Sequence, residues 1–488
     1  MDPRKISFFI ISCLVLLLLL TAFSREGSDE AGNEQEGFFW GNTGFKYPTF
    51  RSFLDPEPAV VTPVAQIDSI VGNIESMIVE EALPEAQPVV PDYSKIDTSK
   101  IRRIEYPGDP ATFVRTIRTA FTSPTCRIIH YGDSQLEGDR ISAYVRNRLQ
   151  RLYGGEGPGF IPIKQVYDEV KAHVECSDEW LRFAAFDRNQ PMFEHGMYGA
   201  YASVSRFTLP ADSLRTLYPD SIPLTTAEFT VSFSDRSYRK LRDFKIVDLH
   251  YGNVQSPVSM NVFHQDSLIM TDTLEPGVEY RNLRLQFETA PTALRFEFTS
   301  EISPDFYGLT LDGKKGILLD NVAMRGASGT IFAKMDGQNY RSMMGHLQPR
   351  MFIFQYGGNA VPYLKDSAAV RRYSKYIMSN LNWVRKKAPE APVIFIGPSD
   401  MSTRVDGRLQ SYDLLPYVNE QIRERCLENG IAFWSMYDAM GGSNSMPHWV
   451  DQKLAASDYT HFSPKGTRVI SELFFTSLYL DLTQYAHE

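Results

Sequence analysis

The chain has 488 residues and a formal net charge of −9, with 43% hydrophobic, 12% aromatic and 22% charged residues, which is the composition of a globular protein. This length predicts two or three folded parts, and the negative charge argues against nucleic acid as a partner, because nucleic acid requires a basic face. The four cysteines lack metal-like spacing, so a disulfide framework and a zinc site are both disfavoured, although one pairing among Cys126, Cys176 and Cys426 stays open.

The N-terminus carries the pattern of an export signal. Arg4 and Lys5 precede an uncharged run from Ile6 to Phe23, and positive residues before an apolar run keep that end in the cytoplasm. This run is near the minimum length for spanning a bilayer and long for the apolar part of a signal peptide. We therefore predict a signal anchor over residues 1–24, with a cleaved signal peptide as the alternative, because Ala22-Phe23-Ser24 resembles a cleavage site. Either way, the folded part is expected to be exported.

Residues 25–100 have no sustained periodicity, and prolines are scattered among acidic residues. This composition predicts a disordered, solvated linker.

Regular structure is predicted from residue 101 onward. Residues 111–121 have the apolar spacing of a helix, Cys126–Tyr131 that of a buried strand, and residues from about 137 to 153 that of a second helix. Ser134 therefore lies in the turn that leaves a strand and enters a helix, where ligands bind in α/β sheets. A serine there is either a helix cap or a nucleophile, and it is a nucleophile only if a base and oxyanion donors converge on it.

The pattern changes to short alternating strands over residues 166–319, which predicts a β-sandwich of the jelly-roll kind. Gly308 to Lys314 matches part of a phosphate-loop pattern, but Lys315 stands where that pattern needs Ser or Thr, so we reject a nucleotide site. Strands and helices alternate again over residues 320–488, as they do in a parallel sheet. The predicted fold class is α/β, interrupted by an inserted all-β sandwich.

Four short blocks, in order, resemble those of the SGNH (GDSL) hydrolases: Gly132-Asp133-Ser134, Gly326-Ala327-Ser328-Gly329, Gly357-Gly358-Asn359 and Asp458-Tyr459-Thr460-His461. Each block alone is weak, whereas all four in order are a strong signal. The resemblance implies a three-layer, flavodoxin-like parallel sheet built from residues 101–165 and 320–488.

The same resemblance implies a catalytic triad. Ser134 would be the nucleophile, His461 the general base and acid, and Asp458 the carboxylate that orients the imidazole. His448 is the nearby competitor for the base, but it lacks a carboxylate at the right spacing. His130 is expected to pack within its strand.

The oxyanion hole would be formed by the backbone N–H groups of Ser134 and Gly329 and the side-chain amide of Asn359. Gly326 replaces Gly329 if that block aligns differently. Asp133 is expected to be a structural turn residue, and Gln135 to shape the pocket.

Three aromatic residues, Trp180, Tyr198 and Tyr201, either line a sugar-binding face or pack in the core, and core packing is favoured.

The split domain is similar to bacterial peptidoglycan O-acetylesterases that contain an inserted carbohydrate-binding-like module, and residues 455–466 look like SGNH proteins of the Bacteroidetes. The resemblance implies removal of acetyl groups from a cell-envelope polysaccharide such as peptidoglycan, through an acetyl-serine intermediate and without a metal or organic cofactor. It also implies a periplasmic location, tethered to the inner membrane by the N-terminal segment.

Two alternatives remain. An O-acetyltransferase with the same triad would take acetyl from a membrane donor protein, and an inactive relative would only bind glycan. The intact set of block residues argues against the inactive protein.

Overall fold

The computed structural model describes residues 3–28, 34–40, 43–46, 91, 93, 97–167 and 169–485. The chain divides into two units, one formed by Met1–Val61 with Thr403–Gln410 and the other by Thr62–Ser402 with Ser411–Glu488. All four cysteines are free, so the pairing left open by the sequence does not form.

The first unit contains the helix α1, Pro3–Phe23, and a three-stranded antiparallel sheet of β1 Arg25–Ser28, β2 Glu34–Trp40 and β3 Thr43–Lys46. Over the parts of the chain that are described, no helix is long and apolar enough to cross a membrane. The membrane anchor over residues 1–24 stays a prediction.

The linker over residues 25–100 was predicted to be disordered, and the three strands correct that prediction where they lie. Their sequence signal is short: two aromatic-containing strands are separated by Gly41-Asn42, a residue pair typical of two-residue hairpin loops. Strands of four to seven residues are too short to produce a sustained periodicity. The part of the predicted linker from residue 47 to 90 lies outside the described residues.

A parallel sheet forms the centre of the second unit. Its strands are β4 Thr125–Gly132, β16 Gly316–Ala323, β17 Pro349–Gln355, β18 Val393–Ile396 and β21 Ala432–Trp434. They lie in the order β16-β4-β17-β18-β21, and every neighbouring pair is parallel. Nearly all of their residues are buried, which explains why these strands read as continuous apolar runs.

Helices cover both faces of this sheet. They are α2 Pro110–Phe121, α3 Arg140–Tyr153, α6 Gly337–Leu347, α7 Ser367–Arg385, α8 Leu415–Glu428, α9 Met436–Ala439, α10 Ser445–Asp451 and α11 Pro464–Gln484. Residues of α2, α3 and α11 share one apolar layer with Ile128 of β4, and residues of α6, α7 and α8 share another with Phe354 of β17. The predicted three-layer α/β architecture is confirmed.

Two antiparallel sheets form between α3 and β16. One contains β5 Gly159–Ile161, β7 Leu181–Ala184, β8 Ser203–Arg206, β10 Ile246–Gly252, β13 Arg281–Gln286 and β15 Asp305–Asp312. The other contains β6 Ala172–Cys176, β9 Thr225–Phe233, β11 Val258–His264, β12 Ser267–Leu274 and β14 Ala293–Ser300. Two short helices lie in the same region, α4 Ala211–Leu217 and α5 Arg239–Arg242.

Side chains from both antiparallel sheets share one apolar cluster, which includes Phe229 and Phe298 from one sheet and Phe306 and Leu309 from the other. Strand β14 alternates buried and partly exposed residues, the pattern of a sheet with one face on a core. A sandwich of antiparallel sheets is thus present. Its jelly-roll form and the boundaries at 165/166 and 319/320 remain predictions. The hairpin of β19 Ser402–Val405 and β20 Arg408–Ser411 completes the strands that the structure describes.

A buried ion pair network joins the sandwich to the parallel sheet. Arg127 of β4 contacts Asp320 of β16 at 2.8 Å and Asp312 of β15 at 2.5 Å. The hydroxyl of Tyr201 donates to Asp320 at 3.0 Å, and the backbone N–H of Phe160 donates to the same carboxylate at 3.0 Å. The guanidinium therefore has a carboxylate partner on each side, as a buried charge requires.

Candidate active site

Three neighbouring strands of the parallel sheet end side by side. The last residue of β4, Gly132, pairs with Ala323 at the end of β16 and with Gln355 at the end of β17. The loops that follow these strands carry three of the four sequence blocks. Because carboxyl ends of parallel strands form the ligand-binding edge of an α/β sheet, the register brings these blocks together there.

The turn after β4 is tightly constrained. A Cβ on Gly132 would lie 2.6 Å from the Leu136 side chain, so only glycine fits. The Asp133 carboxylate then accepts the backbone N–H of Gln135 at 3.0 Å, and Ser134 opens a 3₁₀ segment over Ser134–Asp139. Asp133 is therefore the turn residue that the sequence predicts.

Ser134, His461 and Asp458 lie in hydrogen-bonding contact. The Ser134 Oγ is 2.8 Å from His461 Nε2, and His461 Nδ1 is 2.8 Å from Asp458 Oδ2. A carboxylate can only accept a hydrogen bond, so Nδ1 of the neutral ring carries the hydrogen. Nε2 is then left to accept the proton of the serine hydroxyl. The arrangement suits proton transfer from serine to imidazole.

Asp458 also shapes the loop that carries the histidine. Its Oδ1 accepts the backbone N–H groups of Thr460 and His461, each at 3.0 Å. Partial burial alone would raise the pKa of the Asp458 carboxyl, but these bonds and the imidazole outweigh it and hold the pKa below its usual value. The carboxylate therefore stays ionised beside the ring. The side chains of Asp458 and His461 are 50% and 33% exposed, so water reaches both.

A second carboxyl belongs to Asp133, the residue before the serine. Complete burial raises its pKa to about 6, opposed by the Gln135 N–H bond, by His461 and by the Asn359 amide. The Asn359 amide also donates to the carbonyl of Ala327 at 3.2 Å. Asn359 is thus held between the serine turn and the loop after β16, although its predicted role as an oxyanion donor stays a prediction.

The two candidate glycines differ in their surroundings. Gly329 has φ +75° and a Cβ there would lie 2.8 Å from Ile377, whereas Gly326 has φ +73° and open space within 4 Å. The carbonyl of Ser328, next to Gly329, accepts the Tyr373 hydroxyl at 2.9 Å, which fixes this loop. Both glycines lie in the loop after β16, so the choice between them as oxyanion donors remains open.

Two side chains hold the site together: Gln135, which was predicted to shape the pocket but not to form this link, and Arg140, which sequence reasoning missed. The Gln135 amide donates to the Thr460 carbonyl at 2.7 Å, which links the serine turn to the histidine loop. Arg140 donates to the Ser134 carbonyl at 2.7 Å and, at 3.5 Å, to the carbonyl of Phe462, the residue after His461. An arginine at the first position of a helix, where cations are disfavoured, was the available signal.

Other predicted residues belong to the core. Trp180, Tyr198 and Tyr201 are each 1% exposed, so they pack inside and do not line a sugar-binding face. His130 is completely buried, which lowers its pKa to about 3, and its Nδ1 is 3.0 Å from the Ser142 hydroxyl. It is a packed strand residue, as predicted. His448 lies in α10.

No family model matches the sequence, and no curated protein matches it. Among solved structures, one described as a peptidoglycan O-acetylesterase in action has a TM-score of 0.60 at 20% identity, over 78% of this chain and 99% of that chain. A GDSL-like lipase from Bacteroides ovatus has a TM-score of 0.26 at 11% identity, covering 64% of this chain and 98% of its own. A family two carbohydrate esterase from Clostridium thermocellum has a TM-score of 0.26 at 10% identity, over 62% and 99%. The first of these likenesses shows that this chain shares the fold of that structure.

Proposed function

We propose that this protein is a serine esterase that removes O-acetyl groups from a cell-envelope polysaccharide. The observation that carries the proposal is the contact of Ser134 Oγ with His461 Nε2 at 2.8 Å, with Asp458 2.8 Å behind the ring. Hydroxyl, imidazole and carboxylate in this order form the arrangement that activates serine for acyl transfer. The likeness in fold to a peptidoglycan O-acetylesterase supports peptidoglycan as the polysaccharide.

In the first half-reaction, Ser134 Oγ attacks the acetyl carbonyl carbon while its proton passes to His461 Nε2. The carbonyl oxygen becomes an oxyanion, which the backbone N–H groups of Ser134 and Gly329 (or Gly326) and the Asn359 amide would stabilise. Losing one such donor typically costs about 10²–10³ in rate. The intermediate collapses when the bond to the sugar oxygen breaks, and the imidazolium returns its proton to that oxygen.

In the second half-reaction, water attacks the acetyl-serine. His461 takes one proton from the water, the bond to Ser134 Oγ breaks, and the proton passes to Ser134, so that acetic acid leaves and ionises to acetate in solution. The exposure of His461 and Asp458 favours this step, because water has direct access to the base. An acetyltransferase would need to keep water away from the acyl-enzyme.

Export is part of the same proposal. Arg4 and Lys5 before the apolar run support transfer of the following chain across the inner membrane into the periplasm. Cell fractionation with an antibody against the folded part tests this, and recovery of the protein in the cytoplasm would contradict it.

The test of the reaction is incubation of the full chain with 4-nitrophenyl acetate, with and without a chito-oligosaccharide acceptor. We expect acetate release that the acceptor leaves unchanged and that Ser134→Ala abolishes without loss of folding by circular dichroism. Acetyl on the oligosaccharide with little free acetate would identify a transferase. Equal turnover by the Ser134→Ala variant would end the triad hypothesis, and no turnover by either protein would favour the glycan-binding alternative.

A further inference from the structure

Two arginine–tyrosine contacts involve the loops that follow β16 and β17, and we call their residues the rim residues. The guanidinium of Arg325 lies 5.4 Å from the centre of the Tyr167 ring, and that of Arg188 lies 5.9 Å from the centre of the Tyr363 ring. Both distances are within the range of a cation–π contact. Arg325 follows β16, and Tyr363 ends the 3₁₀ turn Gly358–Tyr363 after β17, so each contact joins a residue between α3 and β8 to a loop at the carboxyl edge of the parallel sheet.

The two contacts differ in charge balance. Arg325 forms an ion pair with Glu137, which neutralises it. Arg188 is exposed, and it forms no ion pair with any acidic side chain in the described part of the chain. Of the two guanidinium groups, Arg188 is therefore the one available to an anion from solution.

The ring of Tyr363 is also open to solvent. It is 70% exposed, in contrast to Trp180, Tyr198 and Tyr201, which pack in the core. A large aromatic side chain this exposed loses hydrophobic stabilisation, which a ligand covering the ring would restore.

Tyr363 follows Asn359 closely in the chain. Asn359 and Tyr363 belong to the same 3₁₀ turn, four positions apart. At a rise of about 2.0 Å per residue, the turn separates the backbone positions of these two residues by about 8 Å along its axis. A ligand on Tyr363 would therefore lie near Asn359, the predicted oxyanion donor.

We propose that Tyr363 and Arg188 form a subsite for a carboxylate-bearing sugar residue that neighbours the acetylated residue in the glycan chain. The C–H face of the sugar ring packs on the tyrosine, and the planar guanidinium binds the carboxylate. The inference rests on the proposed function, and it adds that the enzyme prefers anionic glycans although the protein itself is negatively charged.

The experiment compares three substrates: partially O-acetylated oligogalacturonate, which carries carboxylates, partially O-acetylated chito-oligosaccharide, which is neutral, and 4-nitrophenyl acetate. For Arg188→Gln we expect kcat/KM on the anionic chain to fall about three- to fivefold relative to the neutral chain, the size of one exposed charge contact. For Tyr363→Ala we expect kcat/KM on both chains to fall about tenfold relative to the small ester, because stacking serves either chain. Tyr363→Phe keeps the ring and is expected to stay within about twofold of the wild type.

Two variants elsewhere serve as matched controls. Lys315→Gln removes the same charge just before β16 begins, at the opposite edge of the parallel sheet, and Tyr218→Ala removes a tyrosine that is 44% exposed beside α4. Neither is expected to change the ratio between the chains.

Binding of unacetylated oligogalacturonate, measured by calorimetry on the full chain, needs no turnover. It should weaken with added salt in the wild type and lose much of that dependence in Arg188→Gln. Wild-type substrate ratios and wild-type binding in both rim variants would overturn the subsite while leaving the esterase intact. Full turnover of 4-nitrophenyl acetate by Ser134→Ala would overturn the proposed function instead.

Discussion

Replacement of Arg140 separates alignment of Ser134, the proposed nucleophile, from general stability. Its guanidinium donates to the carbonyls of Ser134 at 2.7 Å and Glu137 at 2.8 Å, and reaches the Phe462 carbonyl at 3.5 Å. Arg140→Met keeps a long unbranched stem and removes every donor. We expect a folded protein in which Ser134 is held less firmly against His461.

The size of the effect follows from these bonds. A hydrogen bond to a charged group contributes about 1.5–3 kcal/mol. If the bond to the Ser134 carbonyl counts at the lower end of this range in the transition state, kcat falls about tenfold, because about 1.36 kcal/mol corresponds to a factor of ten. The bonds to Glu137 and Phe462 do not touch the nucleophile, so their loss lowers mainly the free energy of unfolding.

Steady-state hydrolysis of 4-nitrophenyl acetate measures kcat and KM, and thermal unfolding is followed on the same samples. We expect the loss in kcat, with KM changed less than about twofold, because an alignment defect acts on the transition state. Arg140→Lys keeps the charge without the fork of donors and should give an intermediate kcat. A methionine variant with wild-type kcat and a lowered Tm would refute the alignment role.

Three further predictions concern the same edge of the sheet. Asp458→Asn should lower kcat by about 10²–10⁴, because the ring loses the carboxylate that orients it, and an unchanged rate in the ester assay would move this role to another residue. Asp133, with a folded pKa of about 6 against an ordinary 3.8, binds its proton more tightly when folded, so its contribution to stability is complete below pH 4 and is lost as the pH rises through 6. That difference in pKa corresponds to about 3 kcal/mol at about 1.36 kcal/mol per unit. In urea unfolding, the free energy of unfolding of the wild type should therefore drop by this order between pH 4 and pH 7, relative to Asp133→Asn. Parallel pH profiles of the two proteins would contradict the prediction. Gly329→Ala should lower the unfolding free energy by about 1–3 kcal/mol, since its φ is +75° and the new Cβ would meet Ile377 at 2.8 Å, and an unchanged Tm would mean that the loop relaxes.

The sequence was sufficient for the parts of the fold in which local pattern and topology agree. Strand β4 and helix α2 were predictable within a residue or two, because buried apolar runs and helical spacing mark them. Helix α3 starts at Arg140, later than the spacing suggests, because Gly138 and Asp139 have positive φ and interrupt the helix. Apolar periodicity carries no information about such backbone conformations.

The candidate site was predictable where it depends on the order of the strands. The register of parallel strands brings the first three blocks to one edge, so their proximity follows from topology. The links through Gln135 and Arg140 were not predictable, because they join side chains to backbone carbonyls more than 300 positions away, at Thr460 and Phe462. Every residue has a backbone carbonyl, so such a contact requires no particular residue type at the accepting position.

The buried contact of Arg127 with Asp312 and Asp320 has a consequence for cooperativity. Strand β4 holds Arg127 near one end and leads to Ser134 at the other, while one of the two carboxylate partners of Arg127 belongs to the sandwich. If the sandwich unfolded alone, a guanidinium and the Asp320 carboxylate would remain in an apolar interior with half of their partners gone, which typically costs about 3–5 kcal/mol. Partial unfolding is therefore penalised, and the second unit should melt as a single calorimetric transition whose van't Hoff and calorimetric enthalpies agree. Amide hydrogens in the parallel and antiparallel sheets should then exchange with similar protection. A change that destabilises the antiparallel strands should therefore also destabilise the strand that presents Ser134.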